Sequence, residues 1–230
     1  LNGAIDTSPV AFAGSTLHAT GADSRAFSVF TALTDSPLTV SGSSFSTAAT
    51  SFDIDVILIP TAVNSAISFS DTLLDGVAAG LSVTPGPLTN SPVSLSGVTA
   101  TKGAYGAVLN DLTDSAVSVA DSALAGTEGG LVLNTTLVRS PVSATGSTIT
   151  NNNPSTPAIF VGTAVVSSPF SFARCTVHAM GTGSSEGLWF QHDVTDSPLT
   201  IAESTFKTGA TMGQGDGVDM SGTVRNSAIT

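Results

Sequence analysis

Carboxylates are the groups in this chain with the most chemical potential, and the best cluster lies near residue 200. Asp193 and Asp196, with Glu186 and His192 nearby, are followed by Asp216 and Asp219. Glycoside hydrolysis needs two carboxyl groups about 5–9.5 Å apart, one acting as acid and the other as base or nucleophile. A polysaccharide lyase or hydrolase built on this chain would find those groups in the Glu186–Asp219 region. The competing reading is a solvated loop edge in an acidic protein. It is preferred, because acidic clusters also arise with no catalytic task.

Metal chemistry has less to offer. His18, His178 and His192 are the three histidines, and the first two hold equivalent positions too many repeats apart to chelate one ion. Gly215-Asp216-Gly217-Val218-Asp219-Met220 has the look of one calcium-binding nonapeptide loop, and Asp53-Ile54-Asp55 is a second short acidic pair. Calcium solenoids use half-sites from successive turns, and this motif occurs once, so no metal is expected. Glycine-rich phosphate loops are absent, and no cofactor is implied. Thirteen aromatic side chains, mostly in inward columns, form no readable sugar platform; Trp189 and Tyr105 are the only candidates.

Serine supplies the last candidate nucleophile, and it supplies nine of them. Ser8, Ser36, Ser65, Ser91, Ser115, Ser140, Ser168, Ser197 and Ser227 each precede Pro or Ala. Nine nucleophiles without a paired base make no catalytic sense. A corner residue whose hydroxyl bonds neighbouring backbone does, with proline fixing φ beside it. No residue is therefore assigned a catalytic role.

Those serines mark a repeat. Copies start near Thr7, Asp35, Asn64, Asn90, Asp114, Arg139, Ser167, Asp196 and Asn226, spaced 24 to 30 residues apart. Two residues after the serine stand Val10, Leu38, Ile67, Val93, Val117, Val142, Phe170, Leu199 and Ile229, and two further on Phe12, Val40, Phe69, Leu95, Val119, Ala144, Phe172 and Ile201. Small polar residues separate them, the alternation of a half-buried strand. A small residue with Gly or Asp then makes a corner, as in Ala13-Gly14, Ser96-Gly97 and Ala120-Asp121. A second strand follows, with Ser15, Ser43, Thr72, Val98, Ser122, Ser147, Cys175 and Ser204 pointing inward. Next comes a loop of variable length, then a third strand that often begins at Gly, as at Gly187-Leu188-Trp189-Phe190.

A coil of three short strands stacks in parallel on its neighbours at about 4.8 Å, so that eight coils make a rod about 40 Å long. No coil buries a core alone. The pattern of Gly and apolar residues, then Ser-Pro-apolar-x-apolar, then a second Ser-x-apolar, resembles the coils of right-handed parallel β-helix proteins of the pectin-lyase-like architecture. The likeness covers the whole chain. It implies an all-β, right-handed parallel β-helix (β-solenoid) with three short strands per coil, about eight coils and no evident caps, as a single domain over 1–230. Proteins of this architecture include polysaccharide lyases and hydrolases, phage tailspikes, adhesins and surface-layer material, so the resemblance implies an extracellular or cell-surface setting.

Composition removes other classes. The net charge is −11 and the six basic residues are spread singly, which excludes a nucleic-acid footprint. The longest apolar run, Val56 to Ile59, is strand-sized, so membrane insertion is excluded. Cys175 is alone and stands where other copies carry Ser, Thr or Val, which reads as a small buried side chain. Asp114 with Arg139, and Arg174 with Glu203, fall in matching positions of adjacent coils and are expected as exposed ion pairs worth about 0–1 kcal/mol.

The expected function is a non-catalytic structural or adhesive rod. Its partners are other copies meeting at open coil ends, or the continuation of a longer chain, with carbohydrate as a further partner. A carbohydrate-active β-helix enzyme is the alternative. Ice binding is a third reading, carried by outward threonines such as Thr99, Thr101, Thr148 and Thr150 and weakened by His18, Leu73, Asp75, Ala123, Ala125, His178 and Lys207 in the same columns.

Overall fold

A computed structural model describes residues 3–29, 31–48, 55–153, 155–180, 185–209 and 215–230. The chain winds as a parallel β-solenoid with three faces and no helix among the described residues. The first face is an eight-stranded sheet running from Val10–Ala13 to Leu199–Ala202, and the second an eight-stranded sheet from Thr16–Ala19 to Thr205–Thr208. Each of these sheets stacks eight strands, one from each coil, and spans about seven turns, in keeping with the expected winding of about eight coils. The third face is a 15-stranded sheet, because a bend splits its strand in most coils. Among the described residues, that strand runs through without a break at Tyr105–Thr113 and Gly129–Val138 alone, with one shift of register between Asn110 and Leu112.

Every strand pairing is parallel and joins equivalent positions one coil apart. Val93 lies on Val117 and Leu95 on Val119, as the alternation demands. The inward columns close into one continuous core in which Leu38, Ile67, Leu81, Leu109, Leu133, Phe172 and Leu188 are essentially inaccessible. Phe12 packs edge-on against Phe27 and Phe45, and Phe172 against Phe206. Such edge-to-face contacts add about 0.5–1.5 kcal/mol each beyond buried area. The outward column of the first sheet is uniformly small: Ala11, Thr39, Ser68, Ser94, Ser118, Ser143, Ser171 and Thr200. In the second sheet the outward threonines share their column with Leu73 and Ala123.

The serines work as a ladder. Each serine amide donates to the serine hydroxyl one coil ahead, from Ser8 to Ser36 (2.9 Å) through to Ser197 to Ser227 (2.8 Å). The hydroxyl donates in turn to the carbonyl two residues earlier in its own coil, as Ser65 does to Val63 at 2.8 Å. Seven of the nine are buried to 0 or 1 % exposure. A side chain therefore fills a break in the backbone ladder where the chain turns, as serine side chains do in tight local turns.

The turn itself comes from the residue just before the serine, which proline does not explain. Thr7, Asp35, Asn64, Asn90, Asp114, Arg139, Ser167, Asp196 and Asn226 all have φ between 47° and 53°, the left-handed region. Asp and Asn tolerate that region best among residues with a side chain, and they hold six of the nine places. The second corner repeats the device. Gly14, Gly42, Asp71, Gly97, Asp121, Gly146, Arg174 and Glu203 are left-handed there, ahead of the second serine column. Cys175 stands in that column as a serine substitute, its thiol directed at the Ala173 carbonyl at 3.4 Å.

Candidate functional site

The acidic cluster does not assemble as one site. Asp193 accepts the Thr223 amide of the next coil at 2.8 Å, so it serves as a backbone cap. Asp196 is exposed and occupies a left-handed corner. His192 is exposed one residue before Asp193. Glu186, Asp216 and Asp219 do come together. Partial burial pushes the Glu186 carboxyl above the usual carboxylate range, its own backbone hydrogen bond opposes this, and the charges of Asp219 and Asp216 add to the rise.

Two other expectations divide in the same way. Arg139 grips Asp114 through Nε and Nη2, both at 2.6 Å, and the hydrogen bonds hold the Asp114 carboxyl below its ordinary range. Arg174 and Glu203 are not an ion pair among the described residues, although they occupy the same left-handed corner one coil apart. Both side chains leave that corner into solvent, where little opposes their separation. Lys102 pairs instead with Asp75. His18 and His178 lie in one column of the second sheet, six strands apart, and His178 sits over Lys207. No group of three metal-ligating side chains exists among the described residues. Asp53 and Ile54 lie outside the described residues.

Where the sequence shows no aromatic platform, the structure has one. A cleft of about 230 Å³ opens on the third face, lined by Tyr105, Glu128, Val132, Asn134, Ser155, Thr156, Pro157, Phe160 and Trp189. Three coils stack their outward residues there in register: Val132, Phe160 and Trp189, with Asp219 next. Phe160 and Trp189 meet at 5.2 Å between ring centroids, tilted by 47°. The indole N–H donates to Ser221 at 2.8 Å, and the Ser221 hydroxyl donates to Asp219 at 3.1 Å. The acidic group around Asp219 therefore braces the cleft from one side.

The loop corner shapes this cleft. Only Thr127 and Glu128 separate the second and third faces in the Tyr105-adjacent coil, against 152–158 in the next. The longer loop rises as a wall. Asn151, fully buried, donates to the carbonyls of Thr156 (2.7 Å) and Pro157 (3.1 Å) and to the Thr156 hydroxyl, and accepts the Asn153 amide. Asn153 in turn donates to Glu128 at 3.1 Å. A methyl at Gly162 would stand 2.5 Å from Phe160 and 2.6 Å from the Asn134 amide oxygen, so glycine there leaves the floor open. Partial burial, then the Glu128 charge, raises the Tyr105 phenol, which keeps its proton and stays a donor.

Of the site residues, Tyr105 and Trp189 are visible in sequence as isolated aromatics. Glu128 is not, because it lies in the corner whose length varies from coil to coil, and Phe160 and Asn134 are not, because they stand in third-face strands whose start that corner sets. No family model, no curated protein and no solved structure matches the chain.

Proposed function

We propose that this chain is a non-catalytic rod of the cell surface or extracellular space that binds its partners and does not transform them. The observation that carries this reading is the allocation of carboxylates. The cleft has one among its lining residues, Glu128, and its Oε1 is already engaged by Asn153. Glycoside hydrolysis calls for two on opposite sides of the scissile bond. Asp193 and Asp196 serve a backbone cap and a corner, and the three carboxylates that do meet, Glu186, Asp216 and Asp219, are not among the residues that line the cleft. End-to-end association of rods belongs to the same proposal, since the serine amide-to-hydroxyl step that joins coils is the same at every coil.

A panel of polysaccharides assayed for new reducing ends and for unsaturated products tests the central point. No turnover is expected. Turnover that disappears in Asp193→Asn, Asp196→Asn or Glu186→Gln would establish the carbohydrate-active alternative in its place. Electron microscopy of the purified chain tests association: fibres support it, and monodisperse short rods oppose it.

A further inference from the structure

We propose that the cleft between Tyr105 and Trp189 binds a short, uncharged oligosaccharide; this gives the adhesive reading above its ligand and rests on it. The first support is how the aromatic residues are distributed. Every described phenylalanine except Phe160 belongs to the core or packs against it. The chain has one tryptophan and one tyrosine, and both line this cleft with Phe160. Rings that the core does not use have thus been collected at a single place.

The second support is that the rings are held while polar groups are left unspent. Trp189 uses its only donor on Ser221, which fixes the ring by its edge and leaves its faces for packing. Among the described residues, the half-buried Tyr105 hydroxyl and Asn134 amide take no side-chain hydrogen bond within the protein. Half-buried polar groups are normally paired, so these two are open to a ligand, and the exposed Ser155 hydroxyl stands at the rim beside them. An apolar floor with a few convergent polar groups is the usual make-up of a small-ligand site. Sugars match it, with axial C–H faces to lie on rings and hydroxyls that both donate and accept.

Charge and length narrow the class. No Lys, Arg or His lines the cleft, Glu128 does, and the chain carries −11 overall. Uronates, sulfated sugars and phosphates are therefore repelled. The lining spans three coil steps from Tyr105 to Trp189, about 14 Å at the parallel-strand spacing. That exceeds one pyranose ring. It also separates Tyr105 from the Phe160–Trp189 pair, so the rings form a runway and not a cage around a compact cation.

The single tryptophan makes the test direct, since its emission reports this cleft and nothing else. Fluorescence titration of the intact chain with cello-, manno-, xylo- and chito-oligosaccharides of two to six units should give saturable quenching or a blue shift for at least one series. Calorimetry should show at least tenfold weaker binding for Tyr105→Ala and for Phe160→Ala. Gly162→Ala, which obstructs the floor without removing a ring, should weaken binding similarly, and the exposed Leu73→Ala on the second face should not. Circular dichroism confirms that each variant keeps its strand content; if Phe160→Ala does not, Glu128→Gln and Gly162→Ala carry the comparison. The inference is overturned if no neutral series alters the emission, if oligogalacturonate binds more tightly, or if tetramethylammonium alone reproduces the change. Binding followed by cleavage would leave this inference standing and overturn the non-catalytic reading. Absence of binding with no turnover would do the reverse.

Discussion

Ser115→Ala isolates what one rung of the serine ladder contributes. Ser115 is inaccessible, its hydroxyl accepts the Ser91 amide at 2.9 Å, and its one hydrogen is shared between the carbonyls of Thr113 and Leu88, each at 2.9 Å. Alanine preserves the shape and removes both the acceptor and the shared donor. The Thr113 carbonyl still accepts the Asn90 amide at 3.0 Å and Leu88 stays in its ladder pairing with Leu112, so the group left stranded is the Ser91 N–H, in a residue that is itself inaccessible. An unsatisfied buried donor costs about 1–3 kcal/mol. Taking about 2 kcal/mol, a chain of this size should lose about 4–8 °C of Tm. The lesion sits in the middle of the stack, where each coil is supported only by its neighbours, so the loss should appear in global unfolding and not as local fraying.

Urea unfolding followed by circular dichroism measures the first figure and a thermal scan the second. Ser8→Ala is the internal control. Its hydroxyl is exposed and, among the described residues, receives no amide from another coil, so that change should fall within about 0.5 kcal/mol of the parent. The reasoning is refuted if Ser115→Ala is equally silent, because the Ser91 amide would then have another partner at no cost. It is also refuted if Ser8→Ala costs as much, because serine would then act through the unfolded chain or the corner alone.

Two further outcomes follow. Cys175→Ser should be neutral or stabilising by up to about 1 kcal/mol, since a hydroxyl makes the bond to Ala173 that the thiol makes weakly; urea unfolding reads it, and a loss above that size would show the site to be selected for sulfur. Glu186→Gln should stabilise the protein near pH 7 and change nothing near pH 3. The Glu186 pKa is raised in the fold, so its penalty is absent while both states are protonated and enters as pH rises through the folded value. Stability curves of the two chains that run parallel across that range would contradict this.

The first two faces were legible in sequence for a physical reason. Their inward residues must be apolar at every second position in every coil, and their corners must hold a left-handed residue and a serine. The same constraint applies in each copy, so the columns can be read by eye, and Val93 and Val117 lie where the alternation sets them. What the sequence does not show is the role of the residue before the serine. Asp35, Asp114 and Asp196 turn the backbone there at φ near 50°. Asn64 and Asn90 in the same column were the available signal, since a catalytic acid would not alternate with an amide. Asn64 donates to Asp35 and Asn90 to Asn64, both at 3.0 Å, which confirms a column shared by corner geometry.

The cleft escaped the sequence for the complementary reason. Tyr105 opens its strand, Glu128 lies in a two-residue corner, and Phe160 and Trp189 stand mid-strand, so no single column contains them. Their meeting depends on loop lengths, which the repeat does not specify. The third corner is the one place where a coil can change its length without breaking a ladder, and loop insertions on one face are where solenoids commonly bind. Here the segments between second and third faces run 101–104, 127–128 and 152–158 in successive coils. A short corner beside a long one leaves a step, and a side chain on the floor of that step is sheltered without being buried. Large apolar side chains are ordinarily either in the core or scattered singly on a surface. Three in one sheltered step, with the indole tied back by Ser221, fit neither pattern. The rigid corners therefore fix the spacing of the coils, and the variable corner determines what the rod can hold.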